Sequence, residues 1–524
     1  MAIKRYKANA DNTIVNAFQD GFKLRGTGSN TGEADILEVF SIYAREPGNT
    51  GSQELSRVLI QFPVTDITTD RTSGVVPASG SVSFYLRMYN AETSNTVPTQ
   101  FKLTVNPVSQ SWQEGYGLDL ENYSDVTNGN EGSNWMSASN TQGWTTHEGA
   151  KLVGGTVITS SADYLYEQTF ETGLEDLDLD ITPLVERWIA GSINNYGVLV
   201  KLSSSFEAYH SSSDGQNEGS IINNVNGATI SYYTKRFFAR GSQYFFKRPV
   251  IEARWNDSVK DDRGNFFYSS SLAPAADNLN TLYLYNYVRG RLANIPQIGT
   301  TGSIMVSLFS GSLDNTEPTG SRLFLYNGAQ AITGGFVSTG IYSCSVAITA
   351  AATPLERIYD VWHSGTLQNE HTVTTEFFTG SIDPVVLASA QTVAKPTYYL
   401  NITNLLPKYR SDQTARFNLY IREKNWNPNI HTVAKASPPT TTIESASYRI
   451  YRTLDGFEAI PHGTGSDLQT ILSHDVSGNY FDFDMSLLEP GYEYAFRFAF
   501  YDSALNSWQE QRETFKFRVE EYEY

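Results

Sequence analysis

The chain has 524 residues, enough for three or four domains at roughly 150 residues each. Hydrophobic residues make up 40% and charged residues 18%, which supplies apolar surface for folded cores and excludes a disordered tail protein. Acids outnumber bases 56 to 38, and the resulting net charge of −18 opposes binding to a nucleic-acid backbone. No apolar run approaches the ~18–20 residues that cross a bilayer as a helix. A single cysteine, Cys344, excludes an intrachain disulfide and a cysteine zinc cage. The first ten residues carry Lys4, Arg5 and Lys7 with no apolar stretch behind them, so the expected route is cytoplasmic synthesis without secretory export.

Tyr (32) and Phe (28) are abundant, Met (5) is scarce, and Gly, Ser, Thr and Asn recur throughout. Aromatic and β-branched residues suit a pleated half-buried surface, and the small polar residues supply turns. Alternation follows. In 82–89, Val82, Phe84, Leu86 and Met88 fall on one face. In 492–500, Tyr492, Tyr494, Phe496, Phe498 and Phe500 share a face opposite Glu493 and Arg497. Phe515, Phe517 and Val519 repeat the pattern. Period two with frequent turn clusters predicts an all-β chain of antiparallel sandwiches. One helix is expected in the first half, N-capped by Thr182, with Pro183 in its first turn and Gly191 closing it. Its stripe Leu184, Val185, Trp188 and Ile189 would plug the end of a sandwich.

Seven segments of residues 1–256 occur in an order known from one family. They are Ala10-Asp11-Asn12-Thr13-Ile14, Arg57-Val58-Leu59-Ile60-Gln61-Phe62, the strand at 82–89, Trp112-Gln113-Glu114, Leu179-Asp180-Ile181-Thr182 with Trp188 and Gly191, Asn195-Tyr196-Gly197-Val198, and Arg248-Pro249-Val250-Ile251. Together they resemble the DNRLRE-type domain, a β-sandwich of bacterial surface proteins and some phage virion proteins. The resemblance implies a fold and a surface role rather than a chemistry. The family's usual "Y-x-S-S-E" is replaced here by Phe237-Phe238-Ala239-Arg240-Gly241-Ser242. Insertions at 119–150 and 210–230, rich in Asn, Ser and Gly, are candidate contact surfaces because loops this long are commonly functional.

A polar linker is expected at 256–264. Strands follow at 282–285, 304–308, 322–326 and 340–346. Tyr342 stands two residues before Cys344, the spacing of a tyrosine corner, so 257–395 reads as an Ig-like sandwich. In 396–524, Leu488-Glu489-Pro490-Gly491-Tyr492-Glu493-Tyr494 resembles the turn and strand of fibronectin type III modules, and Ser437-Pro438-Pro439-Thr440 reads as a loop. Three tandem sandwiches result, at 1–256, 257–395 and 396–524.

Chemistry is sparse. The histidines His147, His210, His363, His371, His431, His462 and His474 show no ligand spacing and read as exposed loop residues. Gly26-Thr27-Gly28 and its surroundings precede no helix and read as a turn. Acids cluster at Glu175, Asp176, Asp178 and Asp180 and at Asp482 and Asp484, without EF-hand spacing, and solvated charge is the better reading than calcium. A carboxylate pair for glycoside cleavage has nothing to single it out among 56 acids. No enzyme activity, cofactor or metal is expected. The alternation ending in Glu520-Glu521-Tyr522-Glu523-Tyr524 could add a strand to a neighbouring sheet, although a charged edge strand is the simpler reading.

These features lead to two expectations. One is a structural component of a bacteriophage virion (neck, tail, baseplate or capsid decoration) in a multi-copy symmetric assembly with other virion proteins, without nucleic acid or membrane as partner. The other is an adhesive protein that binds a host-surface glycan. For that role Trp135 and Trp144, with Trp112 beside them, would form an exposed stacking platform. Candidate contact residues are thus Trp135, Trp144, Tyr522 and Tyr524.

Overall fold

The computed structural model describes the chain except residues 1, 20–23, 27–29, 45–51, 94–95, 119–131, 146–152, 210–223, 229–230, 270–273, 315, 319, 350–354, 366–374, 386–396, 425–439, 504 and 523–524. The fold is all-β. The chain divides into two compact units, Ala2–Asn256 with the short segment Asp467–Gln469, and Asp257–Ser466 with Thr470–Tyr524. The expected border at 395 therefore falls inside the second unit.

In the first unit a four-stranded sheet runs in the order Ile3–Lys7, Val250–Arg254, Ser83–Met88, Leu177–Asp180. The larger sheet has eight strands. Its path is Tyr166–Phe170, Phe101–Pro107, Val198–Leu202, Ser52–Gln61, Ala10–Gln19, Leu24–Gly26, and Ile36–Ala44 links Ser52–Gln61 to Tyr232–Phe238. The alternation explains the pairing. Phe84, Leu86 and Met88 face Phe101, Leu103, Val105, Val58, Ile60, Val198 and Val200 in one core, all essentially inaccessible to water. The helix Thr182–Ile189 closes one end, burying Leu184, Val185 and Trp188. Its N-cap position is Ile181 rather than Thr182. The Thr182 hydroxyl accepts instead from the Phe84 amide and donates to Asp180, which ties the helix to the sheet. A second helix, Val64–Thr72, lies beside it and is held by a bidentate Arg71–Glu186 ion pair at 2.6 and 2.7 Å. Its sequence Val-Thr-Asp-Ile-Thr-Thr-Asp-Arg-Thr shows almost no apolar stripe, and only Val64 and Ile67 are buried.

In the second unit, six strands form one antiparallel sheet in the order Asn280–Tyr285, Ile341–Val346, Ile332–Ser338, Ile304–Gly311, Arg357–Ser364, Thr375–Ile382. Both halves share one core, including Leu282, Ile304, Val306, Tyr342, Cys344, Ile358 and Trp362. The sheet folds over at Ile332–Ser338. Residues through Gly334 pair with Ile304–Gly311, and residues from Gly335 pair with Ile341–Val346. A strand that changes partner midway makes such a corner, and the adjacent glycines permit it. Residues 322–326 are not a strand, and only Arg322 bridges to Phe309. The Tyr342 hydroxyl accepts from the Ile295 amide and donates to the Gly299 carbonyl, pinning a loop over forty residues upstream.

The expected linker is ordered. Val259, Lys260 and Asp261 run parallel to the strand Ser473–Asp475 through His474, and Asp262–Gly264 forms a 3-10 turn. The remaining residues build two facing sheets. One has the order Tyr398–Ile402, Thr414–Glu423, Gly478–Asp484, Ser473–Asp475. The other is Lys408–Arg410, Phe515–Glu520, Glu493–Asp502, Ala446–Arg452, Glu458–Ile460. Between them the Phe496 ring meets Phe417 and Phe517 with centroids 4.8 and 4.6 Å away, and Tyr448 stacks on Phe481 at 4.3 Å. Aromatic pairs at these distances add stability beyond their buried area. The tyrosine corner at short sequence range is Tyr494, whose hydroxyl donates to the Glu489 carbonyl five residues upstream. The pairing of Phe515–Glu520 corrects the expectation of a final edge strand. It lies inside its sheet, parallel to Lys408–Arg410 on one side and antiparallel to Glu493–Asp502 on the other.

Candidate functional site

The three tryptophans of the first insertion do not form a platform. Trp112, Trp135 and Trp144 are 8%, 1% and 5% exposed. With Ala138 and Val153 they cover the outward side chains Ile14, Leu55, Leu59 and Leu199 of the large sheet. The described part of the insertion is thus a third layer, including the small hairpin Ser137–Ser139 and Gln142–Gly143. The physical reason is area. Leu55, Leu59, Leu199 and Ile14 face outward on four strand positions, and indole rings are the largest apolar surfaces available to cover them. The residues 119–131 and 146–150 of this insertion lie outside the described residues, as does most of 210–230.

Polar residues staple this layer. The Asn30 amide donates to the carbonyls of Glu114 (2.6 Å) and Ser133 (2.8 Å), and Asn12 donates to Ser133 at 2.9 Å. Arg240 grips the Glu114 carboxylate with two nitrogens at 2.9 and 2.8 Å. Asp11 accepts from the Arg240 amide, and burial, with the Glu114 charge adding to it, pushes its carboxyl up to about 7. Arg240 belongs to the stretch that departs from the family pattern. Its pairing with Glu114 of Trp112-Gln113-Glu114 was not visible in sequence because 126 residues separate them.

Where the layer ends, a groove of about 810 Å³ opens on the same sheet face. Its floor is Lys102, Thr104, Asn106, Glu167 and Lys201, and its walls include Thr159, Ser161, Leu165, Ser204 and Phe206. Lys102 and Glu167 pair at 3.0 Å. Lys201 has no acceptor within bonding distance among the described residues. The Arg57 guanidinium beside it, and then burial, lower its ammonium to about 8. A second groove of about 710 Å³ in the last sandwich is lined by Lys424, Glu444, Asp502, Glu510 and Glu513 among others. There Lys424 and Glu513 lie 3.8 Å apart, and Glu510 pairs with Arg449 at 2.6 Å.

The second surface feature is a knuckle just before Val250–Arg254. Tyr244 and Phe245 are 47% and 48% exposed. Lys7 sits over the Phe245 ring, and Arg248 lies 5.3 Å from the same centroid. Lys247 stands 5.0 Å from the Phe238 ring, which Tyr244 meets edge-on at 5.3 Å. Burial, then the charges of Arg248 and Arg5, lower the Lys7 ammonium to about 8. This aromatic and cationic cluster was missed because its members come from the two ends of the first unit.

Tyr522 is 40% exposed, with the Arg410 guanidinium 4.2 Å from its ring, and Tyr524 lies outside the described residues. The acids at 175–180 are spent on local bonds. Glu175 and Asp176 accept from the amides of Thr172 and Asn90, Asp178 pairs with Arg254 at 2.8 Å, and Asp180 accepts from Thr182. Asp482 pairs with Arg416, and Asp484 caps the turn at Ser486. Among the described residues no three His, Cys, Asp or Glu side chains converge as a metal site. Two histidines correct the loop expectation. His363 and His474 lie on strands at 2% and 1% exposure, His363 beside the Ser307 hydroxyl and His474 beside Asp262. His462 is held by burial at about 4. His147, His210, His371 and His431 are outside the described residues.

No family model matches the chain, and no curated protein does. Several solved structures are similar, three of them as follows. The fibronectin(III)-like modules of Clostridium thermocellum CbhA share 7% identity over 51% of this chain and 92% of theirs, with a TM-score of 0.14. A chimeric titin Z1Z2 carrying a decorin peptide shares 13% over 51% and 93%, at 0.15. A DUF4785 family protein of Legionella pneumophila shares 9% over 92% and 90%, at 0.14. TM-scores this low carry no argument, and the fold rests on the sheets described above.

Proposed function

We propose that this chain is a non-enzymatic structural component of a bacteriophage virion, needing no cofactor, whose tandem sandwiches act through protein–protein contact in a multi-copy assembly. The observation that carries the contact role is the Tyr244–Phe245 knuckle. Exposed Tyr and Phe braced by Lys7, Lys247 and Arg248 have the composition of an interface anchor, with flat apolar area and little side-chain entropy to lose. In a chain of net charge −18 this local excess of cations also favours an acidic partner surface. The virion assignment itself comes from the resemblance of the first module to domains found in phage particles. The test is quantitative mass spectrometry of purified particles. The chain is expected at a fixed multiple copy number, reduced several-fold by the double substitution Tyr244→Ser, Phe245→Ser. Recovery of the wild-type chain only outside the particles would overturn the reading.

A second reading, adhesion to a host-surface glycan, is favoured by the groove beside Lys201, whose volume lies within the roughly 300–1,000 Å³ typical of ligand sites.

A further inference from the structure

Four outward side chains lie in one row across the large sheet, each from a different strand. Glu167 is in register with Thr104, and Thr104 with Lys201. The next pair, Val200 with Val58, sets Lys201 beside Arg57. Two cations thus stand as cross-strand neighbours, an arrangement that destabilises a sheet. Arg57 is occupied, donating to the Gly154 carbonyl at 2.9 Å, with Glu207 3.8 Å away and the Trp135 ring 5.0 Å away. Lys201 feels the same Glu207 charge but has no acceptor within bonding distance among the described residues, and it forms part of the groove floor.

We infer that this groove binds a carboxylate-bearing sugar unit of an acidic polysaccharide, with Lys201 holding the carboxylate. The inference rests on the adhesive reading and narrows it to one ligand class. Three features select that class. Thr159 and Ser204 add hydroxyls to the lining, Thr104 can still accept while it donates to the Lys201 carbonyl, and Ser161 can still donate while it accepts from the Asp163 amide, which suits the hydroxyls of a sugar. Leu165 and Phe206 give apolar surface for the C–H face of a pyranose ring. Lys102 is taken up by Glu167 at 3.0 Å, so Lys201 is the one ammonium of the groove lining outside an ion pair among the described residues, which matches a single carboxylate better than a dianion such as phosphate. The charged groups facing the Lys201 ammonium are Arg57 from Ser52–Gln61, Lys102 from Phe101–Pro107, Glu167 from Tyr166–Phe170, and Glu207 beyond Val198–Leu202. Because Lys201 is lowered to about 8, binding should weaken as pH rises through that value.

The test is calorimetric titration of the full chain with oligomers of galacturonic acid, with the same oligomers after reduction of each carboxyl to a hydroxymethyl group, and with inorganic phosphate. Binding of the acidic oligomer alone is expected. Lys201→Gln should weaken it by roughly tenfold or more, the size of one charge-assisted hydrogen bond. That substitution removes a like charge from beside Arg57, so the variant should fold at least as well as the wild type. Thr104→Val should weaken binding less. Equal binding of acidic and reduced oligomers, abolished by Thr104→Val but not by Lys201→Gln, overturns the acidic ligand and leaves adhesion standing. Tighter binding of phosphate overturns the sugar. Binding of none of the three overturns this inference and removes the groove as support for adhesion.

Discussion

Trp135 illustrates how a side chain's role follows from what lies under it. Sequence placed it in a loop-rich insertion, where an indole could face solvent or cover a core. The deciding fact is the outward row Ile14, Leu55, Leu59 and Leu199, whose members are scattered over 185 residues. Trp135→Ala is expected to cost about 3–5 kcal/mol at the level of this layer, read by chemical denaturation with Trp fluorescence. Asp11 offers a pH test. Its carboxyl sits near 7 when folded and near 3.8 when unfolded, so between those values the folded chain holds a proton that the unfolded chain lacks. The stability it contributes is therefore complete below about 4 and lost as pH rises through about 7. Asp11→Asn should melt higher than wild type at neutral and alkaline pH, with the difference vanishing near pH 4. A lower melting temperature at alkaline pH would show that the charged form is favoured. Neither the burial of Asp11 nor the Arg57–Lys201 neighbourhood was legible in sequence, since both depend on strand register rather than on local pattern.

Strands were the most legible elements. Val82, Phe84, Leu86 and Met88 are buried together as their alternation required, and so are Tyr494, Phe496, Phe498 and Phe500. The helix Thr182–Ile189 was legible for the same reason, a continuous apolar stripe. Val64–Thr72 was not, because five of its nine residues are Thr or Val and its buried face is two side chains wide. Segment 322–326 alternated without gaining a partner strand beyond one bridge. Two elements give sharp tests. A Cβ on Gly334 would lie 2.7 Å from the Ser343 carbonyl oxygen and 3.1 Å from Ile304, whereas one on Gly335 meets nothing within 4 Å. Gly334→Ala should therefore destabilise the corner by about 1–3 kcal/mol, and Gly335→Ala should stay within roughly 0.5 kcal/mol. Equal losses at both positions would mean that backbone freedom, not the close approach, sets the requirement. Tyr494→Phe should cost about 1 kcal/mol, the worth of the single bond to Glu489. Unchanged stability would make Tyr494 a packing residue only.

At the scale of the whole molecule, removal of 119–150 distinguishes a decorative loop from a structural layer. The deletion takes away Trp135 and Trp144 and uncovers Leu55, Leu59 and Leu199, so the shortened chain should bind a hydrophobic dye and melt lower. Deleting 119–131 alone spares the tryptophans and should leave the melting temperature close to wild type. The all-β class was legible from composition and period, whereas the tie between 259–261 and His474 was not, because a polar run reads as a linker whether or not a strand accepts it.

The pairing of Ile3–Lys7 with Val250–Arg254 sets a clock on synthesis. Arg5 reaches Glu252 across 247 positions, and Arg87 and Arg254 hold the same buried carboxylate. A ribosome adding about 5–20 residues per second needs some tens of seconds to bring those last strands out. Throughout that time the amino-terminal strand has no companion and the growing sheet keeps an open flank. Contacts so distant along the chain also make for slow closure afterwards. The nascent polypeptide is thus exposed to chaperones and proteases for far longer than a helical protein of equal size, and its yield should depend on translation speed and on temperature.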